Sequence, residues 1–205
     1  MSYKVARIDE IDGIDYREDT HMHPVRHHLG ISAFGANAWT VESVGDRLMP
    51  EHEEDEGNEE LYVVLRGRAR FEIGGESVDA PEGTLVFVEP RTNRTAFAEE
   101  AGTTVLALGG KPGQHEVSAW EYFFAAYPKA DAGDYEAALA ELDAGLAERP
   151  DHPPLLYHRA CILVRAGRLD EARGYLDRAL AGDPELKGWA DKDEDLEALR
   201  VAGEP

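Results

Sequence analysis

Two pairs of side chains in the first half of the chain have a spacing that suits metal ligation. His52 and Glu54 are two residues apart, and so are His21 and His23 further upstream. On a β-strand, residues at this spacing point to the same side of the sheet. Imidazole and carboxylate groups both bind first-row divalent metals. The upstream pair is interpreted more simply as part of an N-terminal segment docked across the domain, so His52 and Glu54 are the stronger candidates.

The sequence carries no signature of nucleophilic or nucleotide chemistry. It contains no Gly-x-Ser-x-Gly elbow, no Walker A loop and no dinucleotide-binding glycine fingerprint. The single cysteine, Cys161, excludes an intramolecular disulfide and a thiolate metal cluster. It lies in an apolar helical stretch, where we expect a small buried side chain.

The elements that must position His52 and Glu54 are short strands. Apolar runs such as 61–65, 84–88 and 104–108 are separated by Gly and Pro signals about every ten residues. This pattern predicts an all-β barrel or sandwich. From Trp120 onward, β-branched residues become rare and Ala, Leu, Glu and Arg dominate, as helices prefer. The sequence therefore predicts an α+β chain of two domains, with boundaries at 1–112, a linker at 113–117, and 118–205.

The strand half resembles the cupin family, a double-stranded β-helix of the jelly-roll type. The first cupin motif is a Gly, His-x-His, a Glu and then a Gly after six further residues. This sequence follows it with Gly45, His52-Glu53-Glu54, Glu60 and Gly67, and Glu54 stands where the second histidine is usual. The resemblance covers about 40–110 and implies a metal set of His52, Glu54 and Glu60.

The second cupin motif is also altered at its ligand position. Pro81-Glu82-Gly83, the following strand and Pro90 match the family, but Arg94 occupies the place of the last histidine. Two interpretations remain open. In the first, His52, Glu54 and Glu60 hold one Mn, Fe or Zn ion. In the second, Arg94 points inward and pairs with a glutamate, and its guanidinium, which is always charged and matches the shape of a carboxylate, replaces the positive charge of the metal. The second is favoured. The candidate ligand-binding residues are Arg94, Tyr62 and Phe87.

The helical half contains an internal repeat of 34 residues. Windows 133–150 and 167–184 share seven identical positions, and 34 residues is the tetratricopeptide spacing. The segment 118–185 therefore resembles two tetratricopeptide repeats, with a closing helix after Trp189. Two positions fit the repeat poorly: Tyr122 stands where Trp is usual, and Arg159 where Leu is usual.

Composition limits the partners of both halves. Acidic residues outnumber basic ones by 42 to 21, and the formal net charge of the 205 residues is −21. A surface of this charge repels phosphate backbones and anionic lipids. No apolar stretch approaches the roughly 20 residues of a membrane span, and no secretory signal is evident. We expect a cytoplasmic protein without nucleic-acid or membrane partners.

Two functions from different classes are compatible with these features. The favoured hypothesis is a non-enzymatic small-ligand-binding or sensor protein whose helical half docks a protein partner. The alternative is a metal-dependent cupin enzyme, such as a dioxygenase or isomerase, using the altered His/Glu/Glu set. The cupin resemblance also implies a homodimer formed through the strands, and the apolar segment 31–41 is the feature of this sequence that favours one.

Overall fold

The computed structural model describes residues 3–17, 20–54 and 57–201. The chain divides into two compact units, Met1–His115 and Glu116–Pro205. The division falls inside the segment 113–117 that the sequence marks as a linker.

The N-terminal unit is built from short antiparallel strands. One sheet has six strands in the order β1-β2-β3-β10-β5-β8, and the other has four in the order β4-β9-β6-β7. The strands are β1 (Ile14–Arg17), β2 (Thr20–His23), β3 (Gly35–Val41), β4 (Arg47–His52), β5 (Glu59–Arg66), β6 (Arg68–Ile73), β7 (Glu76–Pro81), β8 (Leu85–Val88), β9 (Arg94–Ala98) and β10 (Thr103–Gly110). A short 3-10 turn (Ile8–Glu10) and α1 (Val25–Leu29) accompany them.

The main core of this unit lies between the two sheets. Alternate residues of each strand face it, as the period of two along a strand requires. Tyr62 and Val64 of β5 and Phe71 of β6 are each at most 1% exposed, and they belong to one apolar cluster with residues of both sheets. Every second residue of these strands therefore points into a shared interior.

A smaller core covers part of the outer face of the six-stranded sheet. Ala36 and Ala38 of β3 are packed there against Ile11 of the N-terminal segment and Val25 of α1. The apolar segment 31–41 is thus covered in part by the chain itself. His23 is buried in the same region, and its Nδ1 donates to the Ile11 carbonyl at 3.2 Å.

The helical unit contains two helical hairpins and a closing segment. The helices are α2 (Ala119–Asp131), α3 (Tyr135–Glu148), α4 (Pro153–Arg165), α5 (Leu169–Gly182), α6 (Lys187–Ala190) and α7 (Glu197–Val201). Each hairpin turns at a glycine with positive φ, Gly133 (83°) and Gly167 (77°), a conformation that other residues rarely adopt. Ala138 and Ala172 are fully buried where the paired helices approach.

The two positions that depart from the repeat pattern are compensated locally. Tyr122 packs onto Gly145, where a Cβ atom would lie only 2.7 Å from its ring. Arg159 is 8% exposed; its Nε donates to Asp143 at 2.6 Å, and its guanidinium lies 4.1 Å from the centre of the Tyr175 ring. A neighbouring small residue accommodates Tyr122, and a carboxylate with an aromatic face accommodates Arg159.

The expected closing helix is instead three short pieces: α6, a 3-10 turn (Glu194–Leu196) and α7. The break occurs at Asp193, whose backbone is extended and whose side chain accepts a hydrogen bond from the Asp195 amide. An aspartate whose side chain accepts from the backbone two residues later caps the start of a new helical turn, so the preceding helix ends before it. Leu196 and Leu199 are nevertheless buried in the helical core, as a closing element requires.

Candidate functional site

Strand register brings the cupin-motif residues together. His52 ends β4 and is paired with Arg94, the first residue of β9. Glu60 and Tyr62 lie two residues apart on β5 in the opposite sheet, so they point to the same side. The site is therefore assembled across the interior from three strands, of which β4 and β5 are consecutive in the chain and β9 comes later.

Arg94 is the centre of this site and is fully buried. Its Nη2 and Nε donate to the same carboxylate oxygen, Glu60 Oε2, at 2.8 and 3.1 Å. Its Nη1 donates to the Thr92 carbonyl at 2.7 Å. A buried guanidinium is stable only when paired and hydrogen-bonded, and these contacts meet that requirement.

Glu60 Oε2 also accepts a hydrogen bond from the Tyr62 hydroxyl. Burial opposes the ionisation of Glu60, but hydrogen bonds from His52 and Tyr62 and the charge of Arg94 outweigh it and lower the pKa of Glu60. Burial, followed by the nearby Glu60 charge, raises the pKa of Tyr62, so the phenol stays protonated and acts as a donor. Glu60 is thus a carboxylate surrounded by donors.

His52 faces the same carboxylate. Its Nδ1 donates to the Pro50 carbonyl at 2.8 Å, and its Nε2 lies 3.5 Å from Glu60 Oε2 and 3.9 Å from Glu54 Oε1. The contact with Glu60 is the largest influence on the imidazole and raises its pKa. A proton held on Nε2 beside Glu60 would occupy the lone pair that this nitrogen would offer to a metal.

The three motif residues lie close enough together to be considered as metal ligands. One donor atom from each of His52, Glu54 and Glu60 lies within 4.8 Å of the others. Two features weaken the fit: Glu60 Oε2 already accepts from Arg94 and Tyr62, and Glu54 Oε2 accepts from Asn58 Nδ2 at 3.0 Å. A metal would have to compete with these donors and share the interior with a buried cation.

A polar cavity of about 320 Å³ adjoins this cluster, and Glu54 and Glu60 form part of its wall. Two cations, Arg26 and Lys111, also line it. Amide and hydroxyl groups complete the polar lining: Asn37, Asn58, Gln114 and Ser32. The wall therefore carries two carboxylates and two cations, and such a lining suits a small polar molecule.

The structure does not bring Phe87 to this site. Phe87 is 57% exposed, whereas its neighbours Val86 and Val88 face the core. Its strand partner is Leu61, on the outer face of the six-stranded sheet, whereas Tyr62 on the inner face is paired with Val86. Arg94 and Tyr62 therefore share the interior, and Phe87 lies on the other side of the sheet.

Sequence patterns did not indicate the cavity residues outside the cupin motif. Arg26 belongs to α1, and Lys111 and Gln114 follow β10. They reach the cavity only because the N-terminal segment folds across the unit and β10 ends beside β5. Asn58 was within reach of sequence reasoning, since it lies two residues before Glu60 in the motif loop. Asp55 and Glu56 of the same loop lie outside the described residues.

The upstream histidines belong to a different environment. His21 Nδ1 lies 2.6 Å from Asp15 Oδ1, and the rings of His21 and His23 are 4.6 Å apart. Among the described residues, neither belongs to a group of three donor side chains close enough for one ion. The structure places this pair in contact with the N-terminal segment.

The helical unit contains a second polar cluster around Cys161. The Tyr157 hydroxyl donates to Asp193 Oδ2 at 2.6 Å, and Cys161 Sγ lies 3.7 Å from the same atom. One donor atom each of Cys161, Asp193 and Asp195 lies within 4.8 Å of the others. Burial is the largest influence on Cys161 and raises its pKa far above the usual range, which keeps the thiol neutral. The contacts fasten the closing segment to α4.

An aromatic cavity of about 600 Å³ lies between the first helices of the two hairpins. Trp120 and Phe123 of α2 and His158 of α4 line it, and the rings of Phe123 and His158 are 4.2 Å apart. Burial lowers the pKa of His158 to about 4. The wall formed by Trp120, Phe123 and His158 is therefore aromatic and uncharged at neutral pH, as a groove for an apolar side chain would be.

Comparison with known proteins agrees with the repeat pattern of the helical unit. The tetratricopeptide repeat family matches residues 129–190. The match spans the end of α2 and all of α3 in the first hairpin, all of the second hairpin and the start of the closing segment. The chain thus consists of a unit of two antiparallel sheets followed by a helical unit, and most of the helical unit matches the tetratricopeptide repeat.

Several solved structures are similar to the N-terminal part of the chain. A cupin protein from Bacteroides fragilis has 18% identity over 58% of this chain and 92% of its own, with a TM-score of 0.45. KdgF from Halomonas sp. has 21% identity over 53% and 93%, with a TM-score of 0.43. A sugar phosphate isomerase of the cupin superfamily from Silicibacter pomeroyi has 16% identity over 53% and 76%, with a TM-score of 0.45.

Two further comparisons are negative. Among curated proteins, none matches the sequence of this chain. Within the part of the chain that the structure describes, no helix combines the length and the apolar character needed to cross a bilayer.

Proposed function

We propose that this chain is a non-enzymatic ligand-binding or sensor protein. Its N-terminal unit holds a small polar molecule, and its helical unit binds a protein partner. The observation that carries the proposal is the buried Arg94–Glu60 pair, in which a guanidinium occupies the interior beside the carboxylate. A fixed cation there supplies the positive charge that the family's metal would otherwise provide.

The lining of the polar cavity supports a ligand of defined chemistry. Glu54 and Glu60 of the wall accept from Asn58 and Arg94, and the two further cations Arg26 and Lys111 can attract an acidic group. The amides of Asn37 and Gln114 can each donate to and accept from hydroxyl groups. The volume of about 320 Å³ is at the small end of ligand pockets. We therefore assign the cavity to a small hydroxylated acid.

Binding of such an acid is directly testable with a matched pair of probes. Isothermal titration calorimetry of the full chain with gluconate, and with uncharged glucose as its counterpart, separates the acidic group from the hydroxyl groups. We expect saturable binding of gluconate that Arg26→Ala weakens and no binding of glucose. The control is Arg68→Ala, a substitution at an exposed arginine outside the cavity. Absence of gluconate binding, or equal binding to Arg26→Ala, would refute the assignment.

A second candidate function is a metal-dependent cupin enzyme of the dioxygenase or isomerase class. The proximity of His52, Glu54 and Glu60 favours it. In that case these three residues would hold one divalent Mn, Fe or Zn ion, which would supply Lewis-acid or redox chemistry. This candidate requires one metal ion per chain that is lost in His52→Ala.

The remaining parts of the proposal concern location and partners. The tetratricopeptide match and the aromatic cavity at Trp120 and Phe123 support a protein partner for the helical unit. The acidic composition and the single cysteine support a cytoplasmic location without nucleic-acid or membrane partners. A homodimer, implied by the cupin resemblance, completes the proposal.

A further inference from the structure

A second cavity of the N-terminal unit lies on the outer face of the six-stranded sheet, and we call it the outer cavity. Its volume is about 550 Å³. Its floor is a row of polar residues that face each other across the four neighbouring strands β2, β3, β10 and β5, and the N-terminal segment at residues 7–9 forms part of its wall. The row consists of His21, Thr40, Thr104 and Arg66.

A β-bulge turns Arg66 into the outer cavity. In the ladder between β5 and β10, Val105 is opposite Val64, but the next residue, Thr104, is opposite Arg66, so Leu65 is an extra residue in β5. Side chains of an unbroken strand alternate between the two faces, yet Leu65 and Arg66 both line this cavity. Bulges re-aim side chains and are over-represented next to active sites. The extra residue therefore directs a guanidinium to a face where simple alternation would not place it.

Arg66 and Glu42 bring opposite charges to the outer cavity and are not paired with each other. Arg66 Nε donates to the Gly102 carbonyl at 3.0 Å. Within the described part of the chain, its two Nη atoms have no acceptor, and the carboxylate of Glu42 has neither an ion pair nor a hydrogen bond. Both residues line the cavity, so each can offer its charge to a bound molecule.

The other charged groups of the outer cavity already have partners. Arg7 donates to both carboxylate oxygens of Asp9, at 3.0 and 2.8 Å. His21 Nδ1 lies 2.6 Å from Asp15 Oδ1, and the Nδ1 of the buried His23 lies 3.2 Å from a backbone carbonyl. These contacts leave the unpaired guanidinium and the unpaired carboxylate as the charges that select a ligand.

We propose that the outer cavity binds a small zwitterion, a free α-amino acid with an apolar side chain. Its carboxylate accepts from the two Nη groups of Arg66, in the forked geometry that a guanidinium offers. Its ammonium group donates to Glu42. Ile8 and Leu65, which also line the cavity, provide the apolar wall for its side chain.

The hydroxyl groups of the floor support the same orientation of the ligand. Thr104 Oγ1 donates to the Gly102 carbonyl at 3.4 Å, and Thr40 Oγ1 lies 3.2 Å from Thr104 Oγ1. Since the Thr104 proton is directed to that carbonyl, Thr40 donates to Thr104, and the Thr40 oxygen keeps a lone pair for another donor. Thr40 and Glu42 are two residues apart, so they point to the same side and can accept from one ammonium group.

The charge of the chain favours a zwitterion over a simple acid. The formal net charge is −21, which repels a free anion from the surface. An amino acid carries no net charge and is not repelled, and it satisfies both unpaired groups at once. The volume of the cavity lies within the range of small-molecule sites.

This inference goes beyond the proposed function. The outer cavity has no described lining residue in common with the polar cavity beside Glu60. The two sites can therefore be tested, and can fail, separately.

Isothermal titration calorimetry of the full chain with leucine tests the assignment. Two matched probes each lack one of the charges: isocaproate has no ammonium group, and isopentylamine has no carboxylate. We expect saturable binding of leucine at millimolar concentration or below and no saturable binding of either probe in that range. Absence of leucine binding overturns the proposal, and so does binding of either probe as tight as that of leucine.

Two substitutions locate the binding site. Glu42→Gln and Arg66→Gln each remove one charge, and each should weaken leucine binding by about tenfold or more, the loss expected for a hydrogen bond to a charged group. The matched controls are Glu82→Gln and Arg68→Gln, at exposed residues outside the cavity, and they should bind leucine like the wild type. Glu42 has no described contact to lose, so its variant decides the question even if Arg66→Gln unfolds. A folded Glu42→Gln variant that binds leucine as tightly as the wild type shows that the proposal is wrong.

Arg26→Ala separates the two cavities, because Arg26 lines only the polar one. It should leave leucine binding unchanged, and loss of leucine binding in this variant would overturn the assignment to the outer cavity. Gluconate binding without leucine binding would show that the outer cavity had been assigned wrongly while the proposed function stood. Leucine binding without gluconate binding would support the outer cavity and refute the ligand of the polar one.

Discussion

Replacing Arg94 by alanine should destabilise the N-terminal unit strongly. The substitution removes a fully buried guanidinium that makes two hydrogen bonds to Glu60 and one to the Thr92 carbonyl. The Glu60 side chain, which is 14% exposed, then loses its nearest cationic partner. Breaking a buried pair by removing one member costs about 3–5 kcal/mol, because the other charge stays buried. We expect a loss in that range at pH 7.

The loss should shrink as the pH falls. In the wild type the pKa of Glu60 is lower in the folded chain than in the unfolded chain. The carboxylate therefore stabilises the fold at pH values above the ordinary pKa of the unfolded chain, and this stabilisation is lost as the pH falls through the lowered pKa of the folded chain. Without Arg94, one influence that lowers the pKa of Glu60 is gone, and the pKa moves upward. Protonation then relieves the buried charge in the variant before it affects the wild type. The difference between the two proteins should therefore decrease as the pH falls from 7 through about 4.3, the ordinary pKa of glutamate, and on towards the lowered wild-type value.

Urea unfolding followed by tryptophan fluorescence measures this effect in the correct unit. Trp39 is the one tryptophan in the sequence before residue 116, so Trp120→Phe and Trp189→Phe leave a reporter confined to the N-terminal unit. Arg68→Ala, which removes an exposed pair with Asp79, serves as the control and should change little. A loss below about 1 kcal/mol for Arg94→Ala, the value of an exposed ion pair, would refute the reasoning.

Three further predictions concern the helical unit and can be measured by urea unfolding followed by far-UV circular dichroism. Burial lowers the pKa of His158 to about 4, so between pH 6.5 and 4 the unfolded chain binds a proton on this imidazole that the folded chain does not. The free energy of unfolding should therefore fall by up to about 3 kcal/mol over that range. His158→Phe should flatten this pH dependence, and an unchanged slope in the variant would contradict the prediction. Tyr157→Phe, which removes the donor to Asp193, should cost about 1.5–3 kcal/mol, and no measurable loss would exclude a stabilising role for that hydrogen bond. Gly145→Ala should cost about 1–3 kcal/mol, since its Cβ would lie 2.7 Å from an aromatic ring. Gly174→Ala, whose added Cβ would meet no neighbour beyond its own helix backbone within 4 Å, should stabilise by about 0.5–1 kcal/mol. Equal effects of the two substitutions would be inconsistent with the close approach at Gly145.

Local motifs explain why part of the site could be predicted from sequence. His52, Glu60 and Arg94 lie within about forty residues of one another, in the two cupin-like motifs, and these motifs predict that the three residues lie on or beside strands of one unit. The 34-residue repeat likewise predicted both helical hairpins, because each is a local unit whose turn requires a glycine such as Gly133. Patterns of this kind encode which elements form and which residues share a face.

The parts that failed depend on information that a local pattern does not contain. Phe87 lies in a continuous apolar run, 85–88, where alternation of polar and apolar residues cannot indicate which side faces inward. Pairing with β5 decides it and turns Phe87 outward. The contributions of Arg26 and Lys111 to the cavity depend on how distant segments pack. The break of the closing segment at Asp193 depends on a single capping hydrogen bond.

The central claim is that Arg94 supplies the positive charge of the site. Its most direct test is elemental analysis of the purified protein, incubated with Mn²⁺, Fe²⁺ and Zn²⁺ and then separated from free metal. The account predicts no stoichiometric metal in the wild type, because Glu60 already accepts from Arg94 and Tyr62. His52→Ala should then have the same metal content as the wild type. One metal ion per chain in the wild type, absent from His52→Ala, would contradict the account and support the metal-dependent enzyme.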